Sequence, residues 1–150
     1  MFVFLGQKNK LAEINNSMNT YEEKLSLLSE MIAFARIDGE IHERELQFLS
    51  IVASQLRIED SVFKSLFDQA AKKVIIKSEH QRILQFYRLA LLMQADGVLH
   101  DNEQVAIREM GINMGLSPFA MKGVLVEMKR SPTGMIDPDI IMALFRAQQN

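Results

Sequence analysis

Apolar residues recur at helical spacing through most of the chain. Leu25, Leu28, Ile32 and Ala35 follow an i, i+3, i+7 pattern, which places them on one face of a helix. Thr20-x-x-Glu23 reads as a capping box opening that helix, and Asp38-Gly39 as the turn that stops it. Leu46, Leu49, Ala53 and Leu56 form the stripe of a second helix. Val62, Phe63, Leu66, Phe67 and Ala70 form a third after Asp60. The order then repeats, with Ser78-x-x-Gln81 as the next capping box, Asp96-Gly97 as the next turn, and Ser117-Pro118 as an N-cap with proline at the first helical position. Between the two sets, Lys73–Lys77 reads as a connection; its Val74-Ile75-Ile76 run is too isolated to imply a sheet. Asp137-Pro138-Asp139 starts a last helix, with Ile140, Ile141, Leu144 and Phe145 on its buried side. The pattern predicts about seven helices and no strand: an all-α fold over residues 1–150, read as a single domain.

The two sets are related by one offset. Asp38 and Asp96 lie 58 residues apart, and at that spacing the match extends well past the turns. Leu25, Leu28, Met31 and Ile32 align with Ile83, Phe86, Leu89 and Ala90. Leu49, Val52, Ala53, Leu56 and Ile58 align with Ile107, Met110, Gly111, Met114 and Leu116. Helical periodicity alone produces apolar matches, but coincident capping boxes, Asp-Gly turns, histidines and acids require more than periodicity. The chain therefore reads as two ungapped three-helix repeats, about 20–70 and 78–128, followed by a C-terminal helix.

The turns carry the candidate chemistry. They run Asp38-Gly39-Glu40-Ile41-His42-Glu43-Arg44-Glu45 and Asp96-Gly97-Val98-Leu99-His100-Asp101-Asn102-Glu103, sharing Asp, Gly, His and the final Glu. Glycine, an apolar residue two later and a glutamate six later is the register of the second half of an EF-hand loop. The first half rejects that reading, because its leading ligand positions fall on Phe34 and Arg36, and on Leu92 and Gln94. Two explanations remain open. Asp-Gly turns reverse helices without further function, and first-turn acids gain about 0.3–1 kcal/mol each from the helix dipole. Alternatively, Asp38, Glu45, Asp96 and Glu103 hold a divalent cation, with His42, Glu43, His100 and Asp101 as secondary candidates. Carboxylates alone suit Ca²⁺, Mg²⁺ or Mn²⁺; added histidines tilt a site towards Zn²⁺. Two acids per copy make a poor isolated site, whereas adjacent turns would pool four.

Ala95-Asp96-Gly97 and its first-copy counterpart, each with an apolar residue two positions after the glycine and a later Glu, resemble the tellurite-resistance TerB-like family. Relatives of that family include the front domain of certain membrane-anchored DnaJ-type co-chaperones. The resemblance spans both repeats and implies an all-helical, non-enzymatic domain with metal-binding acids at the turns. It also implies roles in stress response and in assemblies near the bacterial membrane. The first copy departs from the pattern, with Ile37 in place of the small alanine and Arg36 beside it. A tellurite role specifically is not implied.

Composition narrows the remaining classes. The chain has 17 Lys+Arg against 19 Asp+Glu, a net charge of −2, which gives no general attraction to nucleic acid. Each acidic turn sums to −3, so the remainder of the chain is mildly basic at +4. Lys72, Lys73 and Lys77, with Lys129-Arg130, lack the interleaved aromatics of a nucleic-acid surface. Zero cysteines exclude disulfides, thiolate metal sites and a cysteine nucleophile. No apolar run approaches the roughly 18 residues of a membrane span, and without a recognisable targeting segment the expected compartment is the cytoplasm. The apolar Met1–Leu5 start is expected to fold onto the domain or to dock a partner or membrane edge. No Glu-x-x-His, G-x-S-x-G or phosphate-loop motif occurs, so an enzyme is not expected. The ten methionines fit a core-filling role, with an adaptable protein-binding surface as the alternative. The expectation is a helical domain that binds a divalent metal and acts through protein partners, against a metal-free scaffold whose acids only cap helices.

Overall fold

A computed structural model describes residues 8–15, 19–37, 39–95, 97 and 101–148. Eight helices run in order among them: α1 (Lys8–Asn15), α2 (Tyr21–Ala35), α3 (Glu43–Gln55), α4 (Asp60–Ser65), α5 (Glu79–Gln94), α6 (Asp101–Asn113), α7 (Pro118–Arg130) and α8 (Pro138–Arg146). No strand occurs among the described residues. The sequence predicts seven helices; the eighth is α1, whose eight residues are too few to show a clear period. Its Leu11 and Ile14 are buried, each contributing about 1.5–3 kcal/mol, and this packing holds a helix too short to stand alone.

The duplication holds at the level of the backbone. Helices α2, α3 and α4 begin 58 residues before α5, α6 and α7 respectively. The end of α3 and the end of α6 close with the same pair of hydrogen bonds. Ile58 N–H donates to the Ala53 carbonyl (3.0 Å) and Arg57 N–H to the Ser54 carbonyl (3.0 Å). In the second copy Leu116 N–H donates to Gly111 (3.0 Å) and Gly115 N–H to Ile112 (2.9 Å). Both are Schellman caps, which need a left-handed residue after the helix. Gly115 supplies it at φ 78°, whereas the first copy puts Arg57 there at φ 61°.

Side chains follow the predicted faces with identifiable exceptions. In α3 the buried apolar stripe is Phe48, Leu49, Val52 and Ala53, leaving the predicted Leu46 44% exposed. In α8 Ile141 and Phe145 are buried, but Ile140 is 47% exposed. The third helix of the first copy is shorter than its stripe suggests, ending at Ser65 with Ala70 exposed. The Thr20 capping box is complete: Glu23 N–H donates to Thr20 Oγ1 (3.1 Å), and Thr20 N–H to Glu23 Oε1 (2.9 Å). Its counterpart is half formed. Ser78 Oγ accepts the Gln81 N–H at 3.3 Å, but Gln81 Oε1 accepts instead from Asn19 Nδ2 at 2.9 Å. The methionines described are all core or partly buried, including Met31, Met93, Met121, Met128 and Met135.

The connection between repeats sets the topology. Residues 70–78 carry no regular structure and return along α2, with Ala71 N–H donating to Ser29 Oγ (3.0 Å) and Val74 N–H to Ser26 Oγ (2.9 Å). This path delivers α5 to the start of α2, so the two helices run in the same general direction. The Asn19–Gln81 bond joins their beginnings, and further along Gln85 Nε2 donates to the Leu27 carbonyl (3.0 Å) and Glu30 Oε1 (2.9 Å). From Ile83 to Met93 every residue of α5 is buried, which makes it the central helix. Phe86 meets Phe145 of α8 edge to face at 6.4 Å. Tyr87 Oη accepts the Ile136 N–H (2.9 Å) and donates to the Ile136 carbonyl (3.3 Å), securing the approach to α8. No helix among the described residues is long and apolar enough to cross a membrane.

Candidate metal-binding turns

Both acidic turns form because glycine takes a backbone angle that other residues resist. Gly39 lies at φ 105° and Gly97 at φ 78°, and a Cβ there would meet nothing, so conformation rather than space demands glycine. Gly39 N–H donates to the Arg36 carbonyl (2.9 Å) and Gly97 N–H to the Gln94 carbonyl (3.1 Å), again at equivalent positions. Since α2 and α5 run in the same general direction, both helices lead into their turns from the same end.

Of the predicted ligands, Asp38, Asp96 and His100 lie outside the described residues. The others divide sharply. His42, Glu43 and Asp101 are exposed, whereas Glu45 and Glu103 are only 3% and 2% exposed. Both glutamates sit in the first turn of their helices, α3 and α6. Glu45 Oε1 accepts the His42 N–H at 2.9 Å, the returning arm of a capping box. Capping does not itself require burial. Glu23 makes the same bond at the start of α2 while remaining partly exposed. Taking a carboxylate out of water costs free energy, and this structure does so at the same place in both copies.

A hard cation fits the donor chemistry of these turns, which is entirely carboxylate apart from the histidines. Among the described residues no three His, Asp or Glu side chains converge on one point, so a complete ligand set has to draw on Asp38, Asp96 or His100. Arg36, which departs from the expected pattern, stacks over the Phe67 ring at 5.3 Å. Its charge is thereby held in a cation–π contact with the turn that follows α4.

A second buried polar cluster escapes sequence reasoning. Arg88 is completely buried on α5. Its Nε donates to Asn15 Oδ1 (2.7 Å), Nη1 to Gln85 Oε1 (3.2 Å) and Nη2 to the Ile14 carbonyl (3.2 Å). Asn15 Nδ2 continues the chain to Gln55 Oε1 at 2.6 Å, and Gln85 to Glu30. The network therefore ties α1, α2, α3 and α5 together. Burial among neutral partners lowers the Arg88 pKa to about 10. Burial also pushes the neighbouring Tyr87 phenol up to about 12, against the lowering effect of its bond with Ile136. A sequence signal did exist: Gln85 and Arg88 replace Leu27 and Glu30 of the first repeat, and polar residues at core-facing positions have to be hydrogen-bonded.

Comparison with known proteins gives one match. Residues 8–73 fit the family model described as Tellurite resistance protein TerB, and over that stretch, from α1 to the connection between repeats, the chain is TerB-like. No curated protein and no solved structure matches the chain.

Proposed function

We propose that this TerB-like chain is a non-enzymatic helical domain that binds a divalent cation at its two Asp-Gly turns and acts through protein partners. The observation that carries this reading is the paired burial of Glu45 and Glu103, at 3% and 2% exposure, beside turns entered by two helices of common direction. Asp38, Glu45, Asp96 and Glu103 would supply the oxygens, with Glu43, Asp101, His42 and His100 at the margin. The cation would neutralise turns of net charge −3 each and fix the way α2 leads into α3 and α5 into α6. Ca²⁺, Mg²⁺ and Mn²⁺ suit the carboxylates best, and Zn²⁺ becomes competitive if a histidine joins. The resemblance supplies the setting, the stress response and assemblies near the bacterial membrane.

The competing reading is a metal-free scaffold, favoured by the His42 N–H bond that already occupies Glu45 Oε1. Thermal unfolding of the chelator-treated protein with each cation added back separates the two. A cation that binds only the folded state raises Tm in proportion to RT ln(1 + [L]/Kd). Combined Asp38→Asn and Asp96→Asn substitution would remove that rise if the turns hold the ion. A Tm indifferent to all four cations leaves the scaffold.

A further inference from the structure

The second repeat contains an apolar groove that the first has filled. Its cavity, about 360 Å³, lies between α5, α6 and α7, with Phe86, Ile107, Met121 and Leu125 among its lining residues. Arg108, Lys122 and Lys129 also line it, and no acid does. Phe119, at its edge, is 77% exposed.

The duplication supplies an internal control. Where the second copy has Met121 and Leu125, the first has Phe63 and Phe67, packed edge to face at 5.2 Å. Arg36 covers Phe67, whereas the equivalent position on α5 is the neutral Gln94. Lys64 is paired with Asp60 at 2.8 Å, but the residue facing Lys122 at that spacing is Pro118. Arg108, Lys129 and Phe119 stand where the first repeat has Ser50, Ala71 and Ser61. Among the described residues none of the three groove cations is in an ion pair. One ancestral surface is thus plugged and locally neutralised in the first copy, and open, apolar and cationic in the second.

We propose that this groove docks an acidic amphipathic helix of a partner protein. Lys122 and Lys129 lie two turns apart on α7, about 10 Å along its axis, matching carboxylates at i and i+7 of a bound helix. Arg108 faces from α6, so the positive charge comes from two helices. A single-headed lipid anion would engage one part of that rim; a helix with acids on either side of its apolar anchors engages all of it. The proposal gives chemistry to the protein-partner half of the reading above and does not depend on the cation half.

The test uses the full chain, isotope-labelled, titrated by NMR with a synthetic amphipathic helix carrying Leu and Phe at i, i+3, i+4 and i+7 and Glu on both flanks. A Lys-flanked peptide, dodecanoate and anionic phospholipid vesicles serve as alternative probes. The expected result is saturable shifts at Phe86, Ile107, Phe119 and Leu125 with the Glu peptide. Lys122→Glu with Lys129→Glu, both at exposed positions, weakens binding by about tenfold or more, as does raised salt. Leu125→Phe with Gln94→Arg copies the first repeat's plug and abolishes binding while the thermal transition is retained. No binding of the Glu peptide, equal binding of the Lys peptide, undiminished binding to the plugged variant, or shifts on this face from dodecanoate or vesicles but not peptide would each overturn the proposal. Running the titration in chelator and again with Mg²⁺ or Ca²⁺ separates failures. Loss of peptide binding beside a normal cation response removes only the groove, and the converse removes only the turns.

Discussion

Arg57 offers a measurable test of the repeat, because it does a glycine's work without being one. It sits at φ 61° after α3, where the equivalent residue after α6 is Gly115 at φ 78°. A side chain in this left-handed region costs about 1–2 kcal/mol through the clash of Cβ with the following carbonyl. Replacing Arg57 by glycine relieves that cost but returns about 0.4–1 kcal/mol to the entropy of the unfolded chain. It also removes a cation from the negative end of the α3 dipole, about 0.3 kcal/mol at an exposed position. The Arg57 guanidinium makes no hydrogen bond or ion pair among the described residues, so little else changes. Arg57→Ala is the proper reference, since it removes the side chain while keeping the strain. The difference between the alanine and glycine variants should be about 1 kcal/mol in favour of glycine, or about 3 °C in Tm at this size. Gly115→Ala should lose a similar amount, because its new Cβ meets nothing and only backbone strain is added. Urea and thermal unfolding of the three variants would measure this. Equal stability of the alanine and glycine variants at position 57 would refute the strain, and a harmless Gly115→Ala would refute the shared cap.

Other predictions follow from the buried polar groups and the helix starts. Tyr87→Phe strands the Ile136 N–H and carbonyl, costing about 1–3 kcal/mol in urea unfolding at neutral pH. Because the folded phenol titrates near pH 12 rather than 10, its contribution is complete below pH 10 and lost by pH 12. The gap between wild type and Tyr87→Phe should therefore close across that window, and a gap that stays constant would show an unshifted phenol. Arg88 has the opposite sign: its folded pKa, about 10, lies below that of a solvated guanidinium, so its penalty at neutral pH is relieved as pH rises above about 10. Arg88→Ala empties a fully buried site and leaves Asn15, Gln85 and the Ile14 carbonyl short of a donor; a loss of about 3 kcal/mol or more is expected by denaturant titration, with early loss of α1 protection in hydrogen exchange. Thr20→Ala removes one arm of the complete capping box and should cost about 1 kcal/mol by thermal melting, more than Ser78→Ala at the half-formed one.

The repeat, the helix starts and the glycine turns were legible because each rests on local chemistry. Capping residues, Asp-Gly pairs and Pro118 act within one turn of chain, so their spacing survives in the sequence. What was hidden depends on contacts between distant segments. Helix α1 is held by two buried side chains and by Asn15, which meets Arg88 73 residues away. The exposure of Leu46 and Ile140 depends on which helix faces are covered in the fold, which periodicity does not encode. At the turns, sequence chose the acids and glycines and left Glu45 and Glu103 open between helix caps and cation ligands, with no sign that both are buried. Their burial comes from packing between helices, which the local pattern does not encode. The groove was invisible for a related reason: Met121 and Leu125 look like any core pair until set beside Phe63 and Phe67.

Calorimetric titration of the chelator-treated protein with Ca²⁺, Mg²⁺, Mn²⁺ and Zn²⁺, repeated on the Glu45→Gln, Glu103→Gln double variant, tests the cation site most directly. Saturable heat with at least one cation, accompanied by a rise in Tm and lost in the variant, is the predicted result. Absence of heat and of any Tm change with all four would contradict it, as would an undiminished response once both buried carboxylates are gone.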